Sequence, residues 1–112
     1  MKTYKNLLNK GSVRYIIFKE DDIWYGVALE FNIVEEANDP MEVMVFLFDA
    51  IKGYVDSARR AKLRPATLNQ TPTKEYKDLW QKLQSDNAGV FAEKKQVFSF
   101  GFQPLPFASV PV

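Results

Sequence analysis

Residues 38–62 read NDPMEVMVFLFDAIKGYVDSARRAK, and the fold turns on them. Asp39 precedes Pro40, and Glu42 lies three residues after Asp39. An Asp side chain accepts hydrogen bonds from the free N–H groups of a first helical turn. Pro suits the first helical position because an N–H there has no intrahelical partner. Glu42 completes a capping-box arrangement and favours the positive end of the helix dipole. A helix is therefore predicted to start here. Met44, Leu47, Phe48, Ile51, Tyr54, Val55 and Ala58 recur in steps of three and four and carry it to about Lys62. Val43, Val45 and Phe46 widen the apolar surface beyond one stripe, which calls for deep packing of the N-terminal half or an interface there. Arg59, Arg60 and Lys62 gather at the other end, where cations complement the dipole; a solvated terminus outweighs a phosphate-binding patch.

Upstream, residues 13–19 alternate Val13, Tyr15 and Ile17 with Arg14, Ile16 and Phe18, and both sets contain apolar side chains. That pattern predicts a strand covered on both faces. Glu20, Asp21 and Asp22 make a charged turn. Residues 23–31 read as a second strand, with Ile23, Tyr25, Val27, Leu29 and Phe31 on one face and Trp24, Gly26, Ala28 and Glu30 on the other. The short connection favours an antiparallel hairpin. Residues 33–37 add a short third strand.

Downstream, residues 64–73 are a loop by composition, with Pro65 and Pro72. A second helix is predicted over 73–84, its apolar face made by Tyr76, Leu79, Trp80 and Leu83. Residues 85–89 break that pattern. Residues 95–102 read as a last strand, with Phe98, Phe100 and Phe102 on one face and Val97, Ser99 and Gly101 on the other. Pro104, Pro106 and Pro111 then end regular structure. The expected class is α+β: an antiparallel three- to four-stranded sheet packed by one long helix, plus a shorter second helix, in β-β-β-α-α-β order. Residues 1–112 form a single domain, with no repeat and no low-complexity linker.

The 46% apolar content of the 112 residues supports one core. Cys and His are both absent. Their absence removes disulfides, thiolate metal sites, cysteine nucleophiles and the side chain best suited to proton transfer near neutral pH. A net charge of +1 does not favour nucleic-acid binding by this chain. No apolar run approaches the ~20 residues of a membrane span, and the polar start of the chain is unlike a signal peptide. A cytoplasmic protein without membrane contact is the expectation.

Candidate chemistry is sparse. Consecutive Glu20, Asp21 and Asp22 diverge in a turn, whereas a Mg²⁺ site takes carboxylates converging from different elements. Glu35 and Glu36 are adjacent on a strand and point to opposite faces, so they do not form an acid–base pair. The phosphate-binding, nucleophile-elbow and zinc-protease motifs are absent. Alternating Phe98, Phe100 and Phe102 have the spacing of a base-stacking sheet, but packing under a helix is the commoner fate of such a face. No catalytic residue, cofactor or metal ligand is assigned.

Residues 13–63, VRYIIFKEDDIWYGVALEFNIVEEANDPMEVMVFLFDAIKGYVDSARRAKL, resemble the N-terminal domain of HicB-family antitoxins. Two acidic residues precede the aromatic pair Trp24-Tyr25, as in that family's second strand, and Asn38-Asp39-Pro40-Met41-Glu42 stands where the family commonly has Asp-Thr-Pro-Glu-Glu before its helix. The resemblance implies three antiparallel strands crossed by one long helix, related to a partial ribonuclease-H-like fold. It also implies a domain that binds a small, basic, mRNA-cleaving toxin and covers its active site. The chain departs from the family pattern at Ala37, where a small flexible residue is usual, and at Asp39, where Thr is usual. No DNA-binding region is legible after Leu63. Three functions follow, in falling order: a HicB-like antitoxin or protein-binding domain, a stand-alone dimerisation module with no toxin partner, and a ribonuclease-H-like nuclease built on Glu30. A homo-oligomer is expected, with Trp24, Phe98, Phe100 and Phe102 as the partner-binding candidates.

Overall fold

A computed structural model describes residues 5–7, 10–86, 91–92 and 95–105. Pro106, Pro111 and the end of the expected break at 87–89 lie outside the described residues. The elements are β1 (Ser12–Glu20), β2 (Ile23–Ala28), a 3-10 turn (Leu29–Phe31), β3 (Ile33–Ala37), α1 (Pro40–Arg60), a second 3-10 turn (Pro65–Leu68), α2 (Lys74–Asp86), β4 (Phe91–Ala92) and β5 (Lys95–Pro104). They form one antiparallel sheet in the order β3-β2-β1-β5-β4. The expected α+β architecture and element order are present, and the two-residue β4 is an addition to them.

The predicted helix start is built as the residue chemistry requires. Asp39 has extended backbone, and its carboxylate accepts the Glu42 N–H at 3.0 Å, with Pro40 opening the helix. Val43, Leu47, Ile51, Val55 and Ala58 are buried against Val13, Ile17, Ala28 and Phe31 on one face of the sheet. At Gly26 the helix comes close: a Cβ there would lie 3.2 Å from Leu47 and 3.1 Å from Ile17. The other sheet face packs Ile16, Phe18, Val27 and Leu29 under Leu79, Trp80 and Leu83 of α2. β1 is thus buried on both faces, as its double apolar pattern predicts, and the sheet lies between two helical layers.

Two strand readings need correction. The second strand stops at Ala28, three residues short of Phe31. The 3-10 turn that follows, closed by left-handed Asn32, sends Leu29 to the α2 layer and Phe31 to the α1 layer, so they do not share a face. In β5 the pairing slips between Ile17↔Ser99 and Phe18↔Val97, which leaves Phe98 as the extra residue of a β-bulge. The alternation therefore resets. Phe98 packs edge-on to Trp24, beside the α1 layer, whereas Phe100 and Phe102 pack edge-on to Trp80 of α2. Val97 joins Phe100 in the α2 layer, and Ser99 meets Tyr15 on the other side. The three phenylalanines do not share one face.

One contact sets the hydrogen-bond alternation across the sheet. The Leu105 N–H donates to the Gly11 carbonyl at 3.0 Å. Bonded and non-bonded pairs alternate along an antiparallel ladder. Val13↔Gln103, Tyr15↔Gly101 and Ile17↔Ser99 are then the bonded pairs of β1 and β5. Ile16↔Val27 and Phe18↔Tyr25 are those of β1 and β2. Ala28↔Ile33, Gly26↔Glu35 and Trp24↔Ala37 are those of β2 and β3.

Candidate functional site

The β1–β2 turn is a tight two-residue connection in which Asp21 and Asp22 both have positive φ, 53° and 68°. That is a type I′ turn, which matches strand twist but suits Asn-Gly better than Asp-Asp. Both side chains are exposed, as the charged-turn reading expects. Glu20 behaves differently. Its carboxylate holds the Lys95 ammonium at 3.3 Å, and Glu75 of α2 reaches the same ammonium at 3.5 Å. Lys95 is 7% exposed and rests over the Phe18 ring. Burial alone would lower its pKa, but the hydrogen bond and charge of Glu20, followed by the charge and hydrogen bond of Glu75, outweigh it and hold the ammonium above the ordinary lysine value.

The Trp24↔Ala37 register brings the end of β3 to the same end of the sheet as this turn, and α1 begins three residues later at Pro40. Glu20, Asp21, Asp22, Glu36, Asp39 and Glu42 therefore gather at one end of the molecule. Exposed apolar side chains accompany them: Phe98 at 47%, and Met41 and Val45 on the first turns of α1. Trp24 is half-buried between the α1 layer and Phe98, with the Lys19 ammonium 6.0 Å from its ring. The opposite end carries Arg59, Arg60, Lys62 and Arg64, next to where the Tyr54 ring packs at a tilt against Phe31. Lys19 and Lys95 share the first end, Lys19 lying 3.9 Å from Asp22 and Lys95 holding Glu20, so its excess of negative charge rests on Asp21, Glu36, Asp39 and Glu42.

The acidic end adjoins an open sheet edge. Ile33, Glu35 and Ala37 spend their main-chain groups on β2, so Val34 and Glu36 turn theirs outward. Among the described residues nothing pairs with that edge. Val34 is exposed on it, and Glu35 and Glu36 lie on opposite faces, as their adjacency dictates. Sequence reasoning on single residues did not reach this surface, because the six carboxylates come from three elements and only the register unites them.

Glu30 sits in the 3-10 turn and not inside a strand. Its carboxylate accepts the Arg14 main-chain N–H at 2.9 Å and the Arg14 Nε–H at 2.6 Å, while the same guanidinium lies over the Trp80 ring at 5.4 Å. Both oxygens are occupied in tying β1 to the turn and to α2. Among the described residues no group of three or more acidic side chains gathers where it can hold a metal ion. Among the same residues no helix is long and apolar enough to cross a membrane.

Of the sequence-derived partner candidates, the structure brings Trp24 and Phe98 together at the acidic end and Phe100 and Phe102 together under α2. No family model matches the chain, and neither a curated protein nor a solved structure does.

Proposed function

We propose that this chain is a cytoplasmic protein-binding domain of the HicB-like antitoxin kind, whose acidic end receives a small basic protein. The observation that carries this is the open β3 edge, with Val34 exposed on it, beside the carboxylates of Asp21, Asp22, Glu36 and Glu42 and the exposed side chains of Phe98, Met41 and Val45. An extended segment of the partner would add to that edge through main-chain hydrogen bonds, and its Lys or Arg side chains would meet Glu35 and Glu36. Aromatic anchors in a charged rim are the usual makeup of such a contact. The β-β-β-α order with its Asp39-capped helix also supports the likeness.

The test is co-expression with the product of an adjacent short open reading frame. A stable complex is expected, with binding weakened at least about tenfold when Glu35 and Glu36 are both changed to Lys, since like charges across an interface cost more than about 1.4 kcal/mol. Absence of any complex with a short basic neighbour contradicts the proposal.

A further inference from the structure

The other side of the sheet ends differently. The bonded pairs of β1 and β5 involve Ser99, Gly101 and Gln103, so Phe100 and Phe102 turn their N–H and C=O groups away from β1. β4 meets that edge only at Lys95 and Gln96, and no other described residue pairs with it. From Val97 to Pro104 the strand carries no charged residue, and Phe102 is 58% exposed. A long, neutral, aromatic edge is what folded proteins ordinarily avoid or pair.

We propose that a second copy of this chain pairs with this edge, antiparallel, about a two-fold axis at Gly101, joining two five-stranded sheets into one. In that register Phe100 exchanges both main-chain hydrogen bonds with Phe102 of the second copy, and the reverse pair does the same. Every outward group of these residues is then satisfied. Pro104, which has no N–H to offer, falls at the end of the ladder opposite Phe98. The axis itself needs a close approach, because a non-bonded antiparallel pair brings Cα atoms to about 4.5 Å. Gly101 presents no side chain to obstruct it. On the α2 face Phe100 and Phe102 of the two copies form cross-strand aromatic pairs beside Trp80, and these cover the exposed Phe102 ring.

Charge identifies the occupant. Self-pairing of β3 through Val34 and Glu36 would set Glu35 against Glu35, a like-charge pair that opposes it. Self-pairing of β5 sets no charge against another. The two edges lie on opposite sides of the sheet, so this dimer does not depend on the basic-partner reading.

The natural chain has no Cys, so a single engineered one reports directly. A Cβ at Gly101 would meet only the Tyr15 side chain, at 3.7 Å, which is ordinary contact. Cα atoms about 4.5 Å apart lie within disulfide range. Gly101→Cys is expected to oxidise mainly to a reducible covalent dimer. Ser99→Cys and Gln103→Cys, displaced from the axis, should do so about tenfold more slowly, because each would face the other residue of the pair and not itself. Light scattering on the natural chain should show a mass that doubles with concentration, and Phe102→Lys should return it to a monomer. A natural chain that stays monomeric at hundreds of micromolar, equal oxidation at all three positions, or a dimer unaffected by Phe102→Lys would each overturn the proposal.

Discussion

The two open edges of the sheet differ in length, charge and neighbourhood. β3 offers five residues, two of them glutamates, next to the acidic end of the molecule. β5 offers a neutral run with Phe100 and Phe102 backed by Trp80. Main-chain hydrogen bonding makes both edges receptive, but it carries no selectivity of its own. Side-chain charge supplies it: a second copy at β3 would set glutamate against glutamate, whereas one at β5 would set no charge against another.

The largest expected effect comes from Phe100. Truncation by Phe100→Ala removes its edge contact with Trp80 and its place in the α2-side core, and should cost about 2–3 kcal/mol in urea unfolding, below the range of a fully buried Phe. Self-association should fall with it, while binding at β3 by the remaining folded protein should persist. If both interactions disappear together under native conditions, the edges are not independent.

On the β3 side, Asp39→Ala removes the carboxylate that accepts the Glu42 N–H and should cost about 1 kcal/mol, read from the same unfolding curves. Dimer formation should be unchanged, since α1 begins beyond β3 and far from β5 in the sheet order. The β1–β2 turn offers the opposite sign. Replacing Asp21-Asp22 by Asn-Gly relieves two positive-φ positions and should raise stability by about 0.5–1 kcal/mol. It also removes charge from the acidic end, so a weaker hold on a basic partner alongside a more stable fold would separate the two contributions.

The smallest effect is a pH dependence shared by Lys95 at the start of β5 and the helix tyrosines Tyr54 and Tyr76. The Lys95 pKa is raised in the folded protein by Glu20 and Glu75, despite burial, and those of Tyr54 and Tyr76 are raised chiefly by burial. All three bind their protons more tightly when folded. Their contribution to stability is complete below the unfolded values, 10.0 for Tyr and 10.5 for Lys, and is lost as pH rises through the higher folded ones. Thermal unfolding should therefore move to lower temperature above about pH 10, and Lys95→Met should reduce that slope.

Local signals made much of this architecture legible. The Asp39-Pro40-Glu42 start, the three- and four-residue steps of α1 and the double alternation of β1 each express short-range chemistry that a sequence displays directly. The errors arose where the chain leaves a regular period. Nothing local distinguishes Leu29 and Phe31 as a 3-10 turn from the continuation of a strand, because the turn depends on Glu30 being held by Arg14 from β1. The bulge at Phe98 is likewise invisible to alternation, since it is set by the pairing of β5 with β1. The acidic end shares this character. Glu20, Glu36 and Glu42 are far apart in the chain, and only the Trp24↔Ala37 register and the start of α1 bring them to one place.

The claim that the two edges have separate occupants is tested most directly by residue-resolved amide hydrogen exchange at low and high protein concentration, with and without the basic partner. The Phe100 and Phe102 amides should gain protection as the chain is concentrated, with Val34 and Glu36 still exchanging freely, and the latter pair should become protected only when the partner is added. Concentration-dependent protection at Val34 and Glu36, or none at Phe100 and Phe102, would contradict it.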